Sequence, residues 1–280
     1  MARTPDPVVD LLRATDRDRY LSTLYAPQEG RPALAALFAF NAEIAGIRGR
    51  VREALAGEVR IQWWRDTIAA TEPGRQVGHP VADALCAAII RHDLPRQAFD
   101  NHLEARIFDL YDDPMPSRTD LEGYCGETEG AIIQLAAMVL DPRAAPDFAG
   151  LAGHAGCALA VAGMLSRLPL QRARGQCYLP RDMLAAAGTT PEDFVAGGDE
   201  AAAGRAVSAL AALAQEHLAA FRDGAKDMPA SLRPAFLPVA TVPLVLKATA
   251  KLGARAAKEP SSVAAWRRQW AGFQAASGRW

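Results

Sequence analysis

The chain has 280 residues and a formal net charge of −1, with 50% hydrophobic and 22% charged residues. That composition excludes a disordered chain, and the balanced charge excludes a nucleic-acid footprint spread over the whole molecule. Alanine occurs 59 times against only 9 isoleucines, so helix formers dominate and strand formers are scarce, which points to an all-α protein. The 27 arginines against four lysines also fit a chain from a GC-rich genome, a second source of the alanine bias.

In chain order, helices alternate with Pro and Gly breaks, without internal repeat, linker or domain boundary, so residues 1–280 read as one domain. Residues 1–19 lack the apolar core of a signal peptide. Thr15, with Asp16 and Asp18 behind it, marks a helix start, and that helix ends before Pro27. Arg31-Pro32 opens a long helix whose stripe of Leu34, Leu37, Phe38, Ile44, Ile47, Val51 and Leu55 continues until Gly57 interrupts it. A helix over 58–71 carries Trp63 and Trp64, and others follow near 81–92 and 95–111. Beyond the Pro114–Pro116 loop the pattern predicts helices near 119–140, 146–168, 180–187, 191–195, 200–227, 231–251 and 261–277. The expected architecture is an antiparallel bundle of about ten helices around a central cavity.

Candidate chemistry is sparse. Asp6/Asp10, Asp109/Asp113 and Asp223/Asp227 have the one-turn spacing that can present two carboxylates to Mg²⁺, but the first sits in a Pro-rich end, the second runs into Pro114, where its acids cap or solvate a loop, and Gly224 breaks the third. His154, set among small apolar residues, reads as a satisfied core histidine. Cys86, Cys125, Cys157 and Cys177 form no CxxC or Cys/His cluster, so they read as reduced, buried thiols of a cytoplasmic protein. Leu151–Leu165 is the longest weakly polar run and falls short of the ~20 residues needed to span a bilayer.

Two regions carry more. In Leu168–Pro180 the chain leaves a helix at Pro169, passes Arg172 and Arg174, turns at Gly175 and enters Tyr178-Leu179-Pro180. Two arginines and a tyrosine at a helix exit can grip a diphosphate, and a loop with solvated arginines is the plainer alternative. Residues 226–280 hold nine Lys/Arg and two acids, for a net +7. There Lys247, Lys251, Arg255 and Lys258 recur at helical spacing, and Trp266, Trp270 and Phe273 share a face. The ordinary reading packs those aromatics into the bundle; the other lays 239–280 on an anionic membrane.

Blocks in consistent order over about residues 16–187 resemble the squalene/phytoene synthase family. Leu24-Tyr25-Ala26-Pro27 with Arg31, Leu37-Phe38-Ala39-Phe40, Trp63, His79-Pro80-Val81, Asp120-Leu121-Glu122-Gly123-Tyr124-Cys125, Gly156-Cys157-Ala158-Leu159 and Arg174-Gly175-Gln176-Cys177-Tyr178-Leu179-Pro180 carry the likeness. It implies an isoprenoid-synthase-like helical fold. It also implies two Asp-rich motifs on facing helices, where Mg²⁺ would hold prenyl diphosphates. Here Ala45, Gly46 and Gly49 stand at the first motif's Asp positions, and Gly163, Arg167 and Gln171 at the second's. Glu43 is acidic nearby but out of register, and Arg48 and Arg167 add positive charge.

A divergent branch with the same losses, the mitochondrial assembly factors for respiratory complex I, is similar at Ala39-Phe40-Asn41-Ala42-Glu43-Ile44-Ala45, at Arg60-Ile61-Gln62-Trp63-Trp64, and along Leu165–Pro169 and Arg172–Pro180. The resemblance implies a catalytically inactive binding or assembly factor needing no metal. Its expected partners are a membrane protein or respiratory complex and an isoprenoid or lipid ligand met by Arg31, Arg172, Arg174 and Tyr178, with no nucleic acid. The expected location is the cytoplasm, peripheral to the inner face of the membrane. The alternative is a prenyltransferase joining two prenyl diphosphates through unconventional Mg²⁺ ligands; a lipid or isoprenoid carrier is a third use of the cavity.

Overall fold

The computed structural model describes residues 6–280; residues 1–5, where the segment read for a signal peptide begins, lie outside the described residues. Every regular element among the described residues is helical. The α-helices are α1 (Pro7–Thr15), α2 (Arg17–Thr23), α3 (Arg31–Ala45), α4 (Ile47–Arg50), α5 (Ala54–Ala69), α6 (Pro80–His92), α7 (Arg96–Ile107), α8 (Arg118–Cys125), α9 (Ala131–Leu140), α10 (Ala149–Ala173), α11 (Arg181–Ala186), α12 (Pro191–Ala196), α13 (Glu200–Gly224), α14 (Arg233–Phe236), α15 (Val242–Leu252) and α16 (Ala265–Ala276). They gather into two compact units, one whose described residues are 6–111, 131–149 and 228–237, the other of 112–130, 150–227 and 238–280.

In the first unit α3 is the core helix: ten of its fifteen residues are buried, from Ala33 to Asn41 and at Ile44. It packs on α1, α6 and α9, and six of its residues are alanines, whose small side chains let neighbours approach on several sides. Phe40 sits edge-on to Trp64 and Phe99, with ring centroids 5.1 and 5.7 Å away. Asp16 caps α2 by accepting from the Arg19 amide, so the start falls one residue after the expected Thr15.

Two expected boundaries in this unit move. The long stripe beyond Arg31 does not continue as one helix: α3 ends at Ala45, α4 is a single turn, and Val51 is extended. Gly57 does not interrupt anything but lies inside α5, because a Cβ there would come within 2.4 Å of Leu110 Cδ2. That glycine is a packing surface for a leucine.

In the second unit α10 has thirteen buried residues and continues through Pro169 to Ala173 rather than stopping at the proline. The stretch Ala145–Ala173 is therefore longer than the expected 151–165 run, and it and Arg233–Ala257 are long and apolar enough to cross a membrane by length and composition. More than half of each one's apolar window is buried in the protein, as in core helices. Gly156 of α10 meets Gly130, at the end of the π-helical turn after α8, so closely that a Cβ on Gly156 would lie 2.3 Å from the Gly130 nitrogen. Asp199 caps α13, accepting from the Ala202 amide at 2.9 Å, and Gly204 lets the turn carrying Ala254 settle on that helix. All four cysteines are buried and none is in a disulfide, as the reading of reduced, buried thiols expects.

Candidate functional site

The positions singled out from the sequence fall in both units. In the first, Ala45 and Gly49 are exposed and Gly46 joins α3 to α4. The Arg50 guanidinium folds back over this point, donating from Nε to the Gly46 carbonyl at 3.2 Å and from Nη2 to the Glu43 carbonyl at 2.5 Å. A cation thus caps the carbonyl end of α3, where the helix dipole favours positive charge. A Cβ on Gly46 would lie 2.9 Å from Arg50 Nη2, so the missing side chain is what admits the guanidinium.

The acids near α3 are committed to partners. The Glu43 carboxylate lies 3.6 Å from His79 Nε2. His79 caps α6 by accepting the Ala82 amide at Nδ1, so in the neutral ring Nε2 carries the proton and points it at Glu43. Trp63 and Trp64 flank that imidazole, at 5.4 and 5.5 Å. Asp109, expected to cap or solvate a loop, is instead buried beside Arg106 at 3.2 Å, and Arg106 also donates to Asn41 of α3. Burial forces this correction: a carboxylate 7% exposed needs a counter-charge. Arg31 donates to the carbonyls of Ala26 at 2.9 Å and Leu24 at 3.0 Å, holding the turn after α2.

In the second unit Gly163 lies under the guanidinium of Arg167, one turn further along α10; a Cβ at 163 would meet Arg167 Nη2 at 3.0 Å. Gln171 is buried, and its side-chain oxygen has no hydrogen-bond partner among the described residues. Arg172 is half-buried over the Phe194 ring, donating to the Ala257 carbonyl at 2.6 Å and the Val195 carbonyl at 3.4 Å. Burial lowers its pKa from the ordinary arginine value. Arg174 is exposed, and Tyr178 faces Tyr124 with centroids 6.3 Å apart. Burial also pushes the neighbouring Cys177 thiol up to about 11.

Sequence spacing missed one cluster in this unit. His154 is exposed rather than in the core, because its Nδ1 meets His217 Nδ1 of α13 at 3.0 Å. His217 Nε2 reaches Glu122 at 3.2 Å, and Arg118 binds both Glu122 and Glu216. With its Nε2 hydrogen on Glu122, neutral His217 accepts at Nδ1 and His154 donates. Burial followed by the charge of His217 lowers the His154 pKa. Burial raises that of Glu122, but the hydrogen bonds from Arg118 and His217 outweigh it and leave it lowered. Only the i,i+4 Arg118–Glu122 pair was visible in the sequence. Among the described residues no three His, Cys, Asp or Glu side chains gather closely enough to hold a metal ion.

The model of the squalene/phytoene synthase family matches residues 12–273, nearly the whole chain. The chain belongs to that family. It is 30% identical over 240 residues to the mouse protein named "NADH dehydrogenase (ubiquinone) complex I, assembly factor 6", covering 85% of this chain and 72% of that one. It is 28% identical over 193 residues to the phytoene synthase of Thermus thermophilus, covering 67% of this chain and 63% of that enzyme. The solved squalene synthase HpnC of Alicyclobacillus acidocaldarius superposes with a TM-score of 0.71 at 22% identity, over 88% of this chain and 92% of that one, which shows the all-α isoprenoid-synthase fold. In the squalene/phytoene synthase family's terms, then, the Asp-motif resemblance falls on Gly46 under Arg50 and on Gly163 under Arg167.

Proposed function

We propose that this squalene/phytoene synthase family member is a non-catalytic binding protein that assists assembly of a respiratory NADH dehydrogenase complex. The observation that carries the reading is the pair of guanidinium groups folded over Gly46 and Gly163. Mg²⁺ demands several oxygen donors in near-octahedral geometry. The two motif positions offer hydrogen, methyl, amide and guanidinium groups, and in the first unit Glu43 lies against His79 and Asp109 is paired with Arg106. These residues do not fit Mg²⁺. The similarity to the mouse assembly factor supports the choice of partner. The reading puts the protein in the cytoplasm, at the inner face of the membrane that holds the complex.

The similarity to the Thermus enzyme favours a second reading, a prenyltransferase with other metal ligands. One assay separates the two. Purified protein with Mg²⁺ and farnesyl or geranylgeranyl diphosphate is expected to release no diphosphate above background, and release would overturn the non-catalytic reading. Deletion is expected to lower NADH:ubiquinone activity and leave carotenoids and hopanoids unchanged; loss of those lipids with normal respiration would favour the enzyme.

A further inference from the structure

Helix α16 is packed the wrong way round for a soluble surface helix. None of its inward residues is a large apolar one: Ala275 is fully buried, and Arg268, Ala271, Gly272, Gln274 and Ala276 are partly so. Its large apolar residues point out. Trp266, Trp270 and Phe273 are 65%, 57% and 52% exposed. At spacings of four and three they form one strip along the helix. The Trp270 and Phe273 rings stack on each other, 5.7 Å apart, instead of on a neighbouring helix. The expectation that these aromatics pack the bundle is thereby overturned: all three side chains are more than half exposed. A contiguous exposed aromatic strip costs hydration free energy and marks a surface that something covers.

Beside the strip runs a groove of about 260 Å³ between α15 and the segment leading into α16. Lys247, Lys251 and Arg267 line it with Ser262, and Leu244 and Val263 form its apolar part. Arg267 also lies over the Trp266 ring at 5.2 Å, so groove and strip are one continuous surface. The basic stripe read from the sequence divides here. Lys258 is bound to Glu200 and Arg255 to Glu259, whereas Lys247, Lys251 and Arg267 have no carboxylate partner among the described residues. Within 226–280 the only acids are Asp227 and Glu259, and Glu259 is the one held by Arg255.

We propose that α15, α16 and the segment between them form a docking surface for an anionic phospholipid bilayer. Lys247, Lys251 and Arg267 meet the headgroup phosphates, while Trp266, Trp270 and Phe273 enter the interface between headgroups and acyl chains. Charge complementarity selects this occupant. A second copy of the chain, related by a twofold axis through the strip, would bring the unpaired cations against their own counterparts. Tryptophan is the residue type whose ring rests at the headgroup level, and lysine and arginine stems reach phosphates from beside it. The inference goes beyond the assembly reading and does not depend on it, since a prenyltransferase could dock by the same surface.

The test is sedimentation of the full chain with vesicles of phosphatidylcholine alone and with about 30 mol% phosphatidylglycerol, at low and high salt. Binding is expected to the anionic vesicles only and to fall at high salt. Each of Lys247→Ala, Lys251→Ala and Arg267→Ala should weaken it about fivefold, and Trp270→Ala with Phe273→Ala should abolish it. Brominated acyl chains should quench tryptophan emission of the unaltered protein, a readout that needs no variant. Failure to bind either vesicle, binding that ignores charge and salt, or retention by all the variants would overturn the proposal. So would a concentration-dependent dimer that Trp270→Ala dissolves, which would give the strip to a second copy.

Discussion

Helices α3 and α10 meet the same substitution in different surroundings. In both, a glycine at a position the family resemblance assigns to a motif is covered by an arginine one turn later, Arg50 over Gly46 and Arg167 over Gly163. At the junction of α3 and α4 the Arg50 guanidinium donates to two backbone carbonyls, those of Gly46 and Glu43. In the body of α10 the carbonyls are already bonded within the helix, so exposed Arg167 covers its glycine without acquiring such a role. Both arginines are exposed, but Arg50 is bonded to the backbone across the α3–α4 junction and Arg167 only covers its glycine.

The largest expected effect tests how α3 is held. Its Asn41 is tied to the buried Arg106–Asp109 pair, and Asp109→Ala would leave a guanidinium buried without its carboxylate. We expect a loss of about 3–5 kcal/mol in urea unfolding. A loss below about 1 kcal/mol would mean that this polar network does not anchor α3. Next comes α10, whose place is set by backbone contact. Gly156→Ala would drive a methyl into the Gly130 backbone, with no flexible side chain to yield. The expected loss is about 2–3 kcal/mol, and an unchanged unfolding midpoint would contradict the close approach.

How much of this was legible follows from the same two helices. Periodicity showed that α3 and α10 exist, because their apolar residues recur at helical spacing. It could not tell a glycine that ends a helix from one that makes room. Gly57 and Gly156 both serve close packing, and each needs a partner distant in sequence, Leu110 or Gly130, to explain it. Pro169 read as a helix exit because proline removes one hydrogen bond, yet tertiary packing keeps α10 helical past it. The family resemblance assigns Gly46 to a motif from sequence alone, but only the fold shows that Arg50, rather than Arg48, covers it. Neither the burial of Asp109 nor the cross-helix partner of His154 appears in local spacing.

Direct comparison of the two arginines gives smaller effects. Arg50→Ala removes two hydrogen bonds to the end of α3, and about 1 kcal/mol of stability should go with it. Arg167→Ala should stay within about 0.5 kcal/mol, as an exposed substitution with no bonded partner does. Matched chemical denaturation curves check both. Equal losses would erase the distinction between a capping guanidinium and a covering one.

The smallest effect lies on the outward face of α10, in the pair His154–His217. The His154 pKa is lowered on folding, first by burial and then by its partner's charge, so the unfolded chain binds protons there more readily than the folded one. Stability from this group is complete above the ordinary histidine value and declines as pH falls through it toward the lowered folded value. Glu122 acts in the same sense at more acid pH, since its carboxyl is also lowered on folding. Thermal unfolding between pH 7 and 5 should therefore show a modest fall in Tm, and His154→Ala should flatten it while leaving the acid limb from Glu122. An identical slope in the variant would place the titrating group elsewhere. It would also leave α10, like α3, with its polar contacts serving structure alone.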